Sequence, residues 1–371
     1  MQGVRVRIAI PSVFLGLCLA VGPAHAEGDR FLERPRQLTF EGARAGEGYF
    51  SPDGSKLVFQ SEREPGNPFY QIYELDFETG ETRRISPGHG KTTCAFFRAG
   101  SGEILFASTH HDPESLALQK AELDFRASGQ ERRYAWDYDP EMDLYAMDRE
   151  GALQRLTRTR GYDAEGSYSP DGKWIVFASN RHYFAGTPTD EEKAIFESDA
   201  AFFNELYLMP ADGGEARRLT RVDGYDGGPF FTADGARIIW RRFDEEGLIA
   251  DLWTMRLDGS DARRITDFES MSWAPYPHPS GNYFIFTTNK FGFENFELFI
   301  VDTDGRKEPV RVTSTDGFDG LPVFSPDGRR LAWTTDRGSG DGAQLWIARW
   351  DHEAASAALD GAPLRQQKEE P

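Results

Sequence analysis

A four-residue turn that returns six times constrains this chain more than any other feature. Ser51-Pro52-Asp53-Gly54 stands before the apolar triplet Leu57-Val58-Phe59, Ser169–Gly172 before Ile175-Val176-Phe177, and Ser325–Gly328 before Leu331-Ala332-Trp333. Looser copies, Thr232–Gly235, His278–Gly281 and Ala99–Gly102, precede Ile238-Ile239-Trp240, Phe284-Ile285-Phe286 and Ile104-Leu105-Phe106. Pro, Asp and Gly in this order reverse a chain, so each copy marks the bend of a hairpin. An alternating strand follows each one: Ile72–Asp76, Leu144–Asp148, Leu206–Pro210, Leu252–Arg256, Leu298–Asp302 and Leu345–Arg349. A short basic strand then closes five of the units, at Arg84-Ile85-Ser86, Arg155-Leu156-Thr157, Arg218-Leu219-Thr220, Arg264-Ile265-Thr266 and Arg311-Val312-Thr313. The sixth copy, Arg36-Gln37-Leu38-Thr39, lies far upstream of the unit that lacks one.

That displacement predicts a ring. A circle of four-stranded blades leaves an open edge unless its last blade is completed, and a strand from the other end of the chain completes it. The fold class expected is all-β: a six-bladed β-propeller over residues 35–351, with Arg36–Thr39 as the outer strand of the blade drawn from residues 320–350. Spacings between turn glycines of 102 − 54 = 48, 281 − 235 = 46 and 328 − 281 = 47 fit one blade of ~40–50 residues. The wider intervals, 172 − 102 = 70 and 235 − 172 = 63, require insertions, which fall at residues 112–139 and 183–203.

Outside the ring the chain is simpler. Arg5 and Arg7, the apolar run Ile8–Val21 and Ala24-His25-Ala26 have the layout of a signal peptide over residues 1–26, which implies a periplasmic or secreted protein. The run is too short to span a membrane. Cys18 does not follow the small residue a lipoprotein would place before it, since Leu17 is there. Cys94 is then the sole cysteine, expected as a small buried hydrophobe. Residues 352–371 are expected to be a flexible tail and the protein a monomer. A net charge of −19 argues against a nucleic-acid partner, whose phosphates are met by cations.

The Ser-Pro-Asp-Gly turn, the apolar triplet, a Leu-Tyr-Leu-Met strand (206–209) and Arg-Arg-Leu-Thr (217–220) together resemble the TolB-like propeller repeat over residues 35–351. The resemblance implies the propeller fold and contacts with envelope proteins. The mixed α/β domain that precedes the propeller in TolB itself is not expected, because only about eight residues separate the cleavage site from Pro35. No Gly-x-Ser-x-Gly elbow occurs to suggest a hydrolase.

In a propeller, the loops entering the innermost strands and the loops joining second to third strands open on one face. Counting back eight positions from each turn Asp or its equivalent gives Ala45, Thr93, Asp163, Asp226, Ser272 and Asp319 at one level around the channel. Asp163, Asp226 and Asp319 could share calcium or another divalent cation through oxygen ligands; as local turn caps they would need no ion. Glu47 and Glu165 lie two positions further on. The facing loops begin with Arg63, His110, Arg181, Lys290 and Arg337, which pair with neighbouring carboxylates or orient an acidic ligand. Both insertions overhang this face. In the second, Thr189 and Glu192 form a capping box, and a helix is expected through Phe203. The first ends in the aromatic run Tyr134-Ala135-Trp136-Asp137-Tyr138.

Two functions follow. The favoured one is a non-catalytic exported propeller that binds a protein or peptide partner of the cell envelope through the lidded channel mouth. The alternative is a metal-dependent lyase or hydrolase on a small acidic or sugar-like substrate, in which His110, His182 and Asp163 converge at that mouth.

Overall fold

The computed structural model describes residues 28–130, 138–338 and 342–365. The expected signal peptide and the run Tyr134–Asp137 lie outside them. Six four-stranded antiparallel sheets form a six-bladed β-propeller. Blade 1 runs Arg44–Phe50, Lys56–Glu62, Gln71–Asp76 and Thr82–Arg84. Blades 2 to 5 repeat the order within residues 92–155, 164–218, 226–264 and 272–311. Blade 6 takes Asp319–Phe324, Arg330–Thr335 and Gln344–Trp350 from the C-terminal part, and its outer strand Leu32–Gln37 from the start of the described chain.

The closing strand pairs Leu32 with Trp350 and Gln37 with Trp346, so it begins four residues earlier than the sequence motif suggested. No helix among the described residues is long and apolar enough to cross a membrane.

The recurring turn is held by its own side chains. The hydroxyls of Ser51, Ser169, Thr232 and Ser325 each donate to the turn Asp at 2.6 Å. Each also accepts the backbone N–H five residues on, at 2.9–3.0 Å. The turn glycines Gly54, Gly172, Gly235 and Gly328 sit at φ 68–70°, a left-handed position that disfavours a Cβ. The hydroxyl and backbone donors hold the Asp53 and Asp171 carboxyls down at about 2.

A second device binds the outer strand, which spans only two or three residues in blades 1 to 5. The Ser or Thr just beyond it accepts a backbone N–H from the third strand in every blade. The pairs are Ser86 with Ile72, Thr157 with Leu144, Thr220 with Leu206, Thr266 with Leu252, Thr313 with Leu298 and Thr39 with Leu345, all at 2.8–3.0 Å. In blades 3 and 5 the basic residue of the motif grips a buried acid at the start of that third strand: Arg218 on Glu205 at 2.7 Å and Arg311 on Glu297 at 2.6 Å. Arg264 holds Asp251 in blade 4 at 2.5 Å, and Arg155 holds Asp143 in blade 2.

Among the described residues four α-helices lie outside the blades: α1 (Ser115–Ala127), α2 (Arg181–Ala185), α3 (Asp190–Ser198) and α4 (His352–Asp360). The last corrects the expectation of a flexible tail from residue 352. Asp351 caps α4 by accepting the Ala354 N–H at 3.0 Å. Ala355 and Leu359 are buried with Tyr283, Phe324 and Trp350. The His352 ring stacks on His278 at 4.3 Å. Beyond the helix Arg365 pairs with Asp267 at 2.7 Å.

Two outcomes follow. Thr39→Ala leaves the buried Leu345 N–H without its acceptor and should cost about 1–3 kcal/mol, read as a lower Tm that Thr39→Ser restores; equal Tm for Ala and Ser would show that the hydroxyl is dispensable. Truncation after Asp351 should also lower Tm, because it uncovers Trp350 and removes Leu359, whose burial is worth about 1.5–3 kcal/mol. An unchanged Tm in a thermal scan would make α4 dispensable.

Candidate functional site

The face carrying both insertions is built from loops that precede the innermost strands and loops that join second to third strands. The level-ring carboxylates do not line it. Asp163, Asp226 and Asp319 are 0–1 % exposed. Asp163 receives Arg181 at 2.5 Å and the Ser179 hydroxyl at 2.6 Å. Asp226 receives Arg242 through Nε and Nη2 at 2.8 Å and Trp240 Nε1 at 2.9 Å. Asp319 receives Arg337 at 2.5 Å and Trp333 Nε1 at 3.0 Å. Each carboxylate is thus spent inside its own blade, and among the described residues no three His, Cys, Asp or Glu side chains gather as metal ligands would. The shared cation site expected at these three positions is therefore corrected to three separate ion pairs that fix the ends of the innermost strands.

The expected basic ring divides in the same way. Arg181 and Arg337 belong to those pairs, and Arg337 also binds Asp29. Arg63 pairs with Glu41 at 3.2 Å and covers the Tyr73 ring. Lys290 stands 3.7 Å from the centre of the Phe268 ring. His110 bonds Ser108 at 2.9 Å and leans on Tyr145. In blade 4 the partner is Arg242, two positions before Asp244, so counting loop starts missed it. His182 packs against Phe203, away from the locked Asp163, and the expected convergence of His110, His182 and Asp163 does not form a ligand set.

What lines the channel lies two positions further along each innermost strand. There every blade carries a bulge whose first residue has positive φ: Glu47 53°, Cys94 53°, Glu165 57°, Gly228 57°, Ala274 48° and Leu321 53°. The level one turn earlier is then occupied in blade 2 by Thr92, not Thr93. Bulges with such backbone re-aim side chains and break the ladder locally. The freed N–H groups reach the next blade: Glu47 donates to Thr334 at 3.1 Å, Cys94 to Gln60 at 3.3 Å, Leu321 to Thr287 at 3.1 Å and Gly228 to Glu165 at 2.5 Å.

Glu165 accepts further bonds from the Tyr225 hydroxyl and from Arg241, whose Nη2 lies 3.2 Å from both oxygens. Arg241 was invisible to the repeat pattern, because it sits inside a second strand at a position where the other blades place Gln60, Ala107, Ala178, Thr287 and Thr334. Glu47 accepts from Tyr49 at 3.2 Å. Burial, with the Glu165 charge nearby, pushes its carboxyl up to about 7. Buried Cys94 lies beside it, but its thiol hydrogen-bonds Glu47 and meets the Thr93 hydroxyl at 3.1 Å, a polar setting and not that of the small hydrophobe expected. Below this level Tyr49, Phe96, Phe230 and Tyr276 meet ring to ring at 5.2–6.2 Å, and Tyr49 touches Phe230 of the opposite blade at 5.7 Å. The channel is crossed by aromatic rings and behaves as a bowl.

The insertions form the rim. The Thr189–Glu192 capping box is present, with the Glu192 N–H to the Thr189 hydroxyl at 3.1 Å and the Thr189 N–H to the Glu192 carboxylate at 2.6 Å. The expected continuous helix to Phe203 ends at Ser198, because Asp199 starts a separate 3-10 turn, Ala200–Phe203. Phe196 and Phe203 still share one aromatic cluster, bridged by Tyr183 at 4.2 and 4.9 Å. Tyr138 from the first insertion joins it against Phe196 at 5.9 Å, so the two lids touch. Between the second lid and blade 3 lies a cavity of about 450 Å³ lined by His182, Tyr183, Phe202, Phe203, Arg218 and Arg221, among others.

The class this geometry defines is the six-bladed β-propeller. Its fold is shared by a protein described as TolB from Agrobacterium tumefaciens (TM-score 0.56, 19% identity, 85% of this chain and 94% of that one). TolB from Acinetobacter baumannii also shares it (TM-score 0.53, 16% identity), and there the match covers 84% of this chain and 64% of that one. An oligogalacturonate lyase in complex with manganese matches at TM-score 0.53 and 15% identity, over 88% of this chain and 96% of that one. Among curated proteins, an uncharacterised protein of Agrobacterium fabrum is 28% identical over 250 residues, covering 52% of this chain and 83% of its own length. No family model matches.

The Glu47 carboxyl generates a pH dependence. Its ordinary pKa of 4.5 applies to the unfolded chain, while the folded chain keeps the proton up to about 7. The folded state binds more protons between those values, so stability falls as pH rises through them and is level above. Glu47→Gln should match the parent Tm near about pH 5 and exceed it near about pH 8; parallel Tm profiles would show that Glu47 is ionised throughout.

Proposed function

We propose that the chain is an exported, non-catalytic propeller that binds a protein partner of the cell envelope through its lidded face. One observation carries this reading. Among the described residues eleven large apolar side chains are exposed, and eight of them stand on that face, Leu116, Leu118 and Leu123 on α1 and Phe40, Val222, Leu248, Phe291 and Phe293 on its loops. Single exposed apolar residues need no account, but their concentration on one face of a protein whose core is closed elsewhere marks an interaction surface. The propeller buries its blades without them. The TolB structures among the fold neighbours support the direction of this reading.

Site chemistry favours binding over catalysis. The carboxylates in the blades are matched by guanidinium groups, and the ionisable groups in the bowl are held by one another. Export rests on the N-terminal motif of the sequence.

The test replaces Leu248, Phe291 and Phe293 together by Ser. These side chains are 53–70 % exposed, so Tm should fall only slightly, through the lost contact of Phe291 with Arg311. Affinity capture from an envelope extract should yield a defined partner with the parent chain and lose it with the triple variant. Undiminished capture by the variant would place the partner surface elsewhere.

A further inference from the structure

We infer that the cavity beneath the second lid is an anchor socket, shaped for an aromatic side chain of a partner segment flanked by lysine or arginine. This rests on the partner-binding reading and says which part of a partner the face receives. The cavity is off the propeller axis and separate from the bowl. Its volume of about 450 Å³ lies in the usual range for a preformed binding site.

Its walls decide the chemistry. Tyr183, Phe202 and Phe203 supply one side, with Phe202 and Phe203 at 5.2 Å and Tyr183 and Phe203 at 4.9 Å. They are half-buried and leave ring surface toward the cavity. The other side is the Arg218 guanidinium, held between Glu205 at 2.7 Å and the Thr220 carbonyl at 2.9 Å. A planar guanidinium fixed this way presents a flat face on which an aromatic ring stacks. Exposed Arg221 stands at the rim and can close over the same ring. His182 completes the lining. Burial and the Arg218 and Arg221 charges hold its pKa near about 4, so it meets the guest as a neutral ring.

An acidic guest is disfavoured by the surroundings. On segments 183–203, 221–225 and 244–249 seven carboxylates are exposed against two cations, Lys193 and Arg221, and Lys193 is already paired with Asp190 at 2.8 Å. Glu192 and Asp223 themselves line the cavity. Cations flanking the anchor therefore find complementary charge, and carboxylates would be repelled. Aromatic anchors in pockets of this kind carry a large share of interface energy.

The experiment uses the full chain and three capped pentapeptides. Gly-Lys-Trp-Lys-Gly and Gly-Glu-Trp-Glu-Gly carry 5-fluorotryptophan, observed by fluorine NMR, and unlabelled Gly-Lys-Ala-Lys-Gly serves as competitor. The lysine peptide should bind saturably, and the alanine peptide should fail to displace it even at about tenfold excess. The glutamate peptide should bind about two- to fivefold more weakly, and Arg221→Ala should weaken the lysine peptide by about the same factor. Absence of saturable binding, displacement by the alanine peptide, equal affinity of the glutamate peptide, or an Arg221→Ala variant that binds like the parent would each overturn the socket. Those failures leave the broader face untouched, since it is tested at Leu248, Phe291 and Phe293, which do not line this cavity.

Discussion

One hydroxyl per blade keeps this ring assembled. An outer strand of two or three residues has too few ladder bonds to stay on a sheet by itself. The Ser or Thr beyond it supplies the missing acceptor for a buried N–H on the third strand, and in blades 2 to 5 the motif's arginine neutralises an acid beneath. A buried carboxylate is costly when unpaired and tolerable when ion-paired and hydrogen-bonded. In those four blades hydroxyl, acid and guanidinium work as a set, which explains why Arg, an apolar residue and Thr recur together in sequence. Sheets held at their rims in this way can pack face to face around an axis.

At the centre the constraint changes sign. Six innermost strands converge there, and each releases the crowding with a bulge at positive φ. Non-glycine residues seldom adopt that backbone, and at Glu47, Cys94 and Leu321 the neighbouring blade accepts the freed N–H. The bulges also decide which side chains see the channel. They bring Glu47 and Glu165 to the axis and leave the Asp residues two positions earlier buried in their blades.

Much of this was legible because turn chemistry is local. Ser-Pro-Asp-Gly specifies its bend through contacts within five residues, and the displaced Gln37-Leu38-Thr39 revealed closure because its hydroxyl has no other duty. The site was less legible because its partners are distant in sequence. Arg241 and Arg242 reach Glu165 and Asp226 from strand positions that hold no arginine in the other blades, and no residue type announces the bulges. The C-terminal helix left a signal that could have been used: Asp351 as a cap, with Ala355 and Leu359 four apart on one face. The second lid kept its capping box but not its length, since Asp199 competes for the backbone that a longer helix needs.

The blade that joins the two ends of the chain, like blade 1 with Gln71 beneath Ser86 at 2.7 Å, has no acid in its latch. Where blades 2 to 5 use Asp or Glu with Arg, it uses Gln344 beneath Thr39 at 2.8 Å, and Gln37 takes the arginine's place by donating to the Thr39 carbonyl at 2.7 Å. Both charges are exchanged for amides together. Four latches consequently contain a group that acid can discharge, leaving an arginine without its counterion. The clasp contains none. At the seam where chain connectivity is absent, and where an open ring would start to fall apart, the hydroxyl and amide bonds of the latch are indifferent to proton concentration, while the Asp29–Arg337 pair beside them is not.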